Sequence, residues 1–493
     1  MHYNCGRMQT AEVAIIGGGI VGSSIAYHLV EAGCRDVLVI ERETAQGKGS
    51  TGKSMGGVRA QFSTPVNIQM SLYSIPFYAS FNERLGFPCD YRPQGYMFCA
   101  TTDKHLAYLR TNQEKQIALG LKNVRMIATE EIRGRFPQLR ADDILGGSFC
   151  SSDGFVDPYS AMIGFMTWAS DHGAKLWKNT AVSAIQQDHG TFAIETPRGT
   201  VSARQVVNAA GAWAASIAKM VGIDLPVEPL RRMLVPTEPF DQFPHSAPMI
   251  IDMSNGFHFR PEALGFLLAR NDPEETPGYK TDFEPSFIEK ILTRAADRVP
   301  VFENLAVNPK RAWAGLYEMT PDHHPILDAV PGVPGFFCAN GFSGHGVMHA
   351  PATGKILADL ILTGKTDLIA ARPAHDADYI DDAVRHPQRA ARRILALRRH
   401  EAAVDQHDAA GGEPRRREHP ITRPLHVGPE GGAGGIDQRL FAFEEFGRER
   451  HAAIFVRLRR EPRPARTWRQ ILGRARKPRG HRRDQIFFPG PAV

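Results

Sequence analysis

A chain of 493 residues, 42% hydrophobic and 23% charged, is long enough for more than one buried core and polar enough to remain in water. The most apolar stretch, residues 206–223, is interrupted by Asn208 and Lys219, so no membrane-spanning helix is expected. The net charge of +6 is unevenly spread: residues 1–370 carry 33 Lys and Arg against 37 Asp and Glu, whereas residues 371–493 carry 26 against 16. A mildly acidic body gives nucleic-acid binding no electrostatic support. The six cysteines form no C-x-x-C pair, which argues against a structural metal site, and none is expected. Residues 1–10 lack an apolar core of the secretory kind, so a reducing, cytoplasmic setting is expected.

Residues 12–16, EVAII, read as a short buried strand ended by glycines, and Ile20–Ala32 as a helix closed by Gly33. Asp36–Ile40 reads as a second buried strand. Strand, helix and strand form a βαβ unit, which implies a parallel sheet. A Gly/Ser/Thr-rich loop follows at 47–57, then a helical stretch over Val66–Leu85. Residues 86–160 are mixed, with strand-like Gly95–Ala100 and amphipathic Lys104–Gly120, and Tyr159–His172 is again helical.

Three strand candidates, Ala181–Gln186, Thr191–Thr196 and Val201–Val207, are separated by turn signals at 188–190 and 197–199. Residues 223–310 alternate strands with loops rich in proline and charge. Strand Phe336–Ala339, a glycine-rich turn and helix Ala350–Leu362 close the body. Beyond residue 371, arginine outnumbers lysine 25 to 1 and glycine clusters break every periodicity. That tail fits a disordered basic segment, translation in a shifted frame, or an arm for a nucleic acid or a partner.

Three stretches carry chemistry. The first, Gly17-Gly18-Gly19-Ile20-Val21-Gly22, fits G-x-G-x-x-G between a strand and a helix, with Glu41 at the end of the next strand. Gly17 permits the tight turn, Gly19 lets backbone approach a pyrophosphate at the helix N-terminus, and Gly22 lets helix and strand pack. An acid at the place of Glu41 binds ribose hydroxyls and disfavours a 2′-phosphate, which leaves NAD and FAD. The second, residues 49–62, can bring hydroxyls to a pyrophosphate and glycine backbone to a ring system, with Arg59 facing an electron-rich edge. The third, Ala339-Asn340-Gly341-Phe342-Ser343-Gly344-His345-Gly346-Val347-Met348, places backbone N–H groups at a helix start, where they suit an oxygen gaining negative charge.

In this order the three stretches resemble the D-amino-acid oxidase/sarcosine oxidase superfamily of FAD-dependent oxidoreductases. Residues 207–213 (VNAAGAW) and 315–322 (GLYEMTPD) add to the likeness, which spans roughly residues 11–370. The loop after residue 50 is nearest to FAD-dependent oxidoreductase-domain proteins and to sarcosine oxidase β-subunit-like dehydrogenases. The resemblance implies an α/β fold: a discontinuous Rossmann-like FAD domain of the glutathione-reductase type (11–85, 155–222 and 311–370). It also implies an α+β substrate domain with a mixed or antiparallel sheet (86–154 and 223–310).

The resemblance further implies that Gly17, Gly19, Ile20, Val21, Gly22, Glu41 and Arg42 hold the ADP moiety. Ser50, Thr51 and Ser54 would lie near pyrophosphate or ribitol, Gly57 and Arg59 near the flavin ring, and Val182, Ala210, Gly211 and Trp213 on the adenosine side. Gly344, His345, Gly346, Val347 and Met348 would border the flavin. Arg59, His258, Tyr317 and His345 are the catalytic candidates, and Arg260, Arg270 and Met348 the substrate-binding ones.

Three departures refine the implication. No cysteine stands near Gly315 and Lys53 replaces a histidine, the two residues that carry covalent flavin in relatives, so non-covalent FAD is expected. Met348 and His349 stand where sarcosine oxidases carry a substrate-holding lysine, which argues against sarcosine itself. Segment Leu264–Arg270 lacks the lysine that speeds reaction with O2, which favours a dehydrogenase serving an electron-acceptor protein or a quinone. The implied reaction is oxidation of the C–N bond of a secondary or tertiary amino acid by hydride transfer to flavin N5. A 2-hydroxy acid as substrate, and an FAD-binding assembly protein with little turnover, are the alternatives.

Overall fold

The computed structural model describes residues 9–369, and the expectations for the tail at 371–493 lie outside the described residues. Strand Gln9–Ile16, helix Ile20–Glu31 and strand Val37–Ile40 form the expected βαβ unit. It nucleates a sheet ordered Ile326–Ala329, Phe336–Asn340, Gly199–Asn208, Gln9–Ile16, Val37–Ile40, Lys175–Trp177. The four central pairings are parallel, and Ile326–Ala329 adds antiparallel at one edge. The expected three-strand meander is present, Ala184–Asp188 and Thr191–Thr196 leading antiparallel into Gly199–Asn208.

Helix Ile20–Glu31 is buried over every residue from Ile20 to Val30, because helices Pro158–Asp171 and Gly346–Thr363 pack on the sides the sheet leaves open. Its polar groups are satisfied: Ser24 Oγ donates to Ala350 O (2.8 Å), and His28 Nδ1 bonds Ser24 O (2.8 Å). The crossing with Gly346–Thr363 works because Gly354 has no side chain, since a methyl there would lie 2.3 Å from His28 Nδ1.

A second sheet of eight strands is ordered Trp313–Met319, Glu228–Pro236, Gly265–Ala269, His258–Glu262, Met249–Asp252, Tyr96–Ala100, Gly146–Cys150, Val124–Ile127. It is antiparallel except where Met249–Asp252 runs parallel to Tyr96–Ala100. Side chains alternate across it. Phe259, Phe266 and Leu268 enter a core with Phe243, Phe302 and helix Phe287–Arg298. The opposite face presents a registered row, Leu234, Ala269, His258, Ile251 and Phe98.

Two readings of the sequence need correction. Strand Trp313–Met319 pairs with Glu228–Pro236 in the second sheet, although the sequence boundary at 311 puts it with the FAD domain. Its alternating apolar pattern does not reveal which sheet it joins. Residues 223–310, read as strands and loops, also contain helix Phe287–Arg298, whose buried Phe287, Ile291, Leu292, Ala295 and Arg298 repeat at helical spacing. The helical stretch 66–85 divides into Pro65–Ala79 and Phe81–Leu85, meeting at Ser80.

Candidate active site

A cavity of about 500 Å³ runs from the glycine-rich turn of the first sheet to the registered row of the second. At the turn, Gly17 has a φ of +110°, and a methyl on it would lie 2.3 Å from the Ala209 carbonyl. Gly22 sits behind the turn, where a methyl would approach the Gly17 oxygen to 2.0 Å. Gly22 therefore serves packing, while Gly17, Gly19, Ile20 and Val21 line the cavity. The Ile20 N–H donates to Thr51 Oγ1 (3.1 Å), which brings the second motif onto the first.

Glu41 is pinned by both oxygens, Oε2 accepting from Gly18 N–H (2.9 Å) and Oε1 from Glu43 N–H (2.8 Å). Gln46, which the sequence reading did not single out, supports the same turn by donating to Gly18 O (2.6 Å). Arg42 lies 3.6 Å over the Trp213 ring, and Tyr279 stacks on that indole at 5.9 Å. Val182, Ala210 and Gly211 line the same end.

Farther along, Ser50, Thr51, Ser54, Gly57 and Arg59 all line the wall. Ser50 Oγ donates to Leu316 O (2.6 Å), tying the loop to the second sheet. Gly57 is required because a methyl would lie 1.8 Å from the Tyr96 hydroxyl. Arg59 donates to Gln61 O and rests 3.8 Å over Phe62, whose edge meets His345 at 5.0 Å. Asp153, fully buried, holds this loop by accepting from Ala60 N–H (2.8 Å) and Gln61 Nε2 (3.0 Å), and burial raises its carboxyl to about 6.

The third motif closes the cavity. Gly344 has a φ of +100° and faces the Tyr317 ring, with a methyl there only 2.4 Å from the ring. Helix Gly346–Thr363 starts at the cavity wall, and its first three residues, Gly346, Val347 and Met348, line it. An α-helix leaves such leading N–H groups without intrahelical acceptors. His345 is half-buried, and desolvation of its ring together with the Arg59 charge holds it neutral, far below the usual histidine range.

From the second sheet, His258, Tyr317 and Arg270 reach the cavity, as does Arg232, which the sequence reading missed. Arg232 is 9% exposed, its guanidinium lies 5.2 Å from the Tyr317 ring, its Nη1 donates to Arg231 O (3.2 Å), and its Nε has no hydrogen-bond partner among the described residues. Burial lowers its pKa. The neighbouring Arg231 points the other way, into an ion pair with Glu275 (2.6 Å). Burial and Arg59 lower His258 to about 4, and Glu318, also on the wall, is raised to about 7 by burial.

One expected residue is elsewhere. Arg260 is not among the cavity-lining residues. Although it shares a sheet face with His258, loop residue Met55 covers it: its Nε donates to Met55 O (2.6 Å), and its Nη1 bonds Pro261 O and the Glu262 carboxylate.

A second cavity of about 240 Å³ adjoins the first and shares Arg59, Ile251, Arg270 and Asn271 with it. Its remaining wall comes mainly from helix Asp103–Ala118 and residues 253–256.

FAD fits the first cavity on the residues present. The glycine cradle at 17–19 leads to a helix N-terminus, Gly211 has open space where a side chain would go, and leading N–H groups of a second helix meet the opposite end. No cysteine lines it. Among the described residues no helix is long and apolar enough to cross a membrane.

Comparison with known proteins agrees. The model of the FAD dependent oxidoreductase family, DAO, matches residues 12–360. FAD-dependent oxidoreductase domain-containing protein 1 of Xenopus laevis is 32% identical over 72% of this chain and 80% of its own length. Mitochondrial dimethylglycine dehydrogenase of Rattus norvegicus is 31% identical over 74% of this chain, which spans only 44% of that enzyme. Among solved structures, L-proline dehydrogenase from P. horikoshii superposes with a TM-score of 0.68 at 31% identity, covering 73% of this chain and 96% of its own. One of these relatives is mitochondrial by name, so the cytoplasmic expectation is not carried by them. With the family model spanning most of the chain and the glycine cradle, Arg59 and the 344–348 turn facing one cavity, the chain belongs to the DAO family of FAD-dependent oxidoreductases.

Proposed function

We propose that the protein oxidises the C–N bond of a secondary or tertiary amino acid and passes the electrons to an acceptor other than O2. The observation that carries this reading is Arg232, a buried cation with an unpartnered N–H on the wall shared with His258, Tyr317 and the 344–348 turn. A carboxylate is the natural partner for such a group, because pairing it relieves the cost of burial and gives charge-assisted hydrogen bonds. Two relatives, named for dimethylglycine and for L-proline, support an amine beside that carboxylate.

FAD, when bound, would supply the acceptor for a hydride, that is, for two electrons and one proton. The chain's own residues do the rest. Arg232 would fix the carboxylate, and Tyr317, packed on Gly344, would hold the amine end against the flavin side of the cavity. Arg59 and Arg232 repel an ammonium ion, so the amine is favoured in its reactive neutral form. His258 at about 4 is too weak a base to keep a proton at neutral pH, and suits a neutral hydrogen-bonding role. Glu318 at about 7 is matched to neutral pH and is the better candidate to take the released proton.

Non-covalent attachment is part of the same proposal, since Lys53 and Gly315 stand where relatives carry a covalent link. The test is anaerobic: purified yellow protein is mixed with N-methylated and cyclic amino acids, and with 2-hydroxy acids. Bleaching by the amines alone, with flavin released into the supernatant on acid precipitation, is expected. Bleaching only by hydroxy acids, or by nothing in the panel, overturns the reading.

A further inference from the structure

The second cavity has a composition that the oxidation of a simple amino acid does not require. Its charged residues are Arg59 and Arg270, and no carboxylate lines it. The other polar walls are neutral: Gln61, Asn112, Gln116, Ser148, Ser254, Asn255 and Asn271. Four of these, Gln61, Asn112, Gln116 and Ser148, are nearly fully buried, and Gln116 Oε1 has no hydrogen-bond partner among the described residues.

Arg270 itself is lightly held. Its Nε makes one long bond to Asn255 O (3.4 Å), and no ion pair reaches it among the described residues. The nearby acids Asp272 and Glu274 are engaged by Lys290 at 3.0 and 2.6 Å. Arg270 therefore faces both cavities as a cation whose neighbours do not neutralise it. Arg232 lies close by on the neighbouring strand: Leu234, two residues beyond it, pairs with Ala269, the last residue of the strand that Arg270 follows. Two cations on the same cavity wall, neither in an ion pair among the described residues, suit two anions in the ligand.

We propose that the substrate is a dianionic amino acid, with one carboxylate beside the reacting C–N bond on Arg232 and a second, carried by a side arm, entering the smaller cavity to meet Arg270. This rests on the amine-oxidation reading for the identity of the reacting bond, but not for the second anion. The Asn112 amide suits such an arm, because it can donate to carboxylate oxygens without adding charge, whereas Ser148 Oγ already donates to Gln61 Oε1 (2.6 Å) and the Gln61 and Gln116 amides donate to Asp153 and Phe62 O. A hydrophobic side chain gains little there, since it would strip water from amides and leave them unpaired.

Two measurements on the holoenzyme test this. The first compares anaerobic flavin reduction by N-methyl-glutamate and by its neutral isostere N-methyl-glutamine. The acid should be preferred by roughly 10–100-fold in kcat/KM, the scale of a charge-assisted hydrogen bond. In R270M the ratio should fall to about one, and R270K should restore part of it. The second measures equilibrium binding of glutarate against glutaramate by calorimetry, which needs no turnover. Glutarate should bind at least about tenfold tighter, with the difference lost in R270M.

Equal binding of the two, or a preference that survives R270M, overturns the proposal. If no amine bleaches the flavin yet glutarate is preferred through Arg270, the amine reading fails and the dianion site stands.

Discussion

Arg232→Met should move stability and ligand affinity in opposite directions. In the ligand-free protein the guanidinium is buried with its Nε unpartnered, and an unsatisfied buried donor costs about 1–3 kcal/mol. Methionine fills a similar volume without that cost, but forfeits the contact with the Tyr317 ring at 5.2 Å, which contributes about 0.5–1 kcal/mol. The balance is a gain of roughly 0–2.5 kcal/mol, or about 0–3 °C in Tm for a body of this size. Against a carboxylate the sign reverses. Losing charge-assisted bonds of about 1.5–3 kcal/mol weakens binding by roughly 10–150-fold.

Scanning calorimetry of the holoenzyme gives the first quantity. Titration of the flavin absorbance with pyrrole-2-carboxylate, whose aromatic ring resists oxidation, gives the second. A lower Tm with unchanged affinity would refute the reasoning and make Arg232 a structural residue.

Gly22→Ala should yield protein without flavin, because its methyl would lie 2.0 Å from the Gly17 oxygen and push the helix off the cradle; the flavin-to-protein absorbance ratio reads this out. Asp252→Ala should cost about 3–5 kcal/mol in urea unfolding, since Arg298, bonded to Asp252 at 2.7 Å, would keep a buried charge with only the half-exposed Asp143 as partner. His28, buried and lowered from 6.5 to about 4, stays neutral in the fold while the unfolded chain protonates below about pH 6.5. Its contribution is therefore complete above pH 6.5 and is lost as pH falls towards 4, by about 3 kcal/mol in all. Urea midpoints at pH 7, 5.5 and 4.5 should fall in step, and His28→Asn should flatten the trend.

Much of the first sheet was legible because its signals are local. Gly17–Gly22 names a turn, Glu41 ends the next strand, and the intervening helix carries only small or hydrogen-bonded polar residues, Ser23, Ser24 and His28, among its buried apolar ones. The second sheet was less legible because register is not a local property. Arg231 and Arg232 are adjacent and chemically identical, yet one pairs with Glu275 and the other faces the cavity. Nothing short of the strand's register distinguishes them, and a slip of one residue exchanges their faces.

Arg260 failed for a different reason. Its face was readable from His258 two residues earlier, but its cover, the carbonyl of Met55, comes from 205 residues away. Strand Trp313–Met319 shows the same limit, since its partner Glu228–Pro236 is set by topology.

The order in which the chain visits its two sheets also has a mechanical consequence. It builds Gln9–Ile16 and Val37–Ile40 in the first, leaves for Tyr96–Cys150 in the second, returns for Lys175–Asn208, leaves again for Glu228–Met319, and comes back for Ile326–Asn340. Four covalent tethers thus cross beside the cavity. A body tied at four points does not swing on one hinge as a body tied at one point does, so wide jaw-like opening is blocked. The same tethers mean that neither half can be cut out of the gene as one continuous piece.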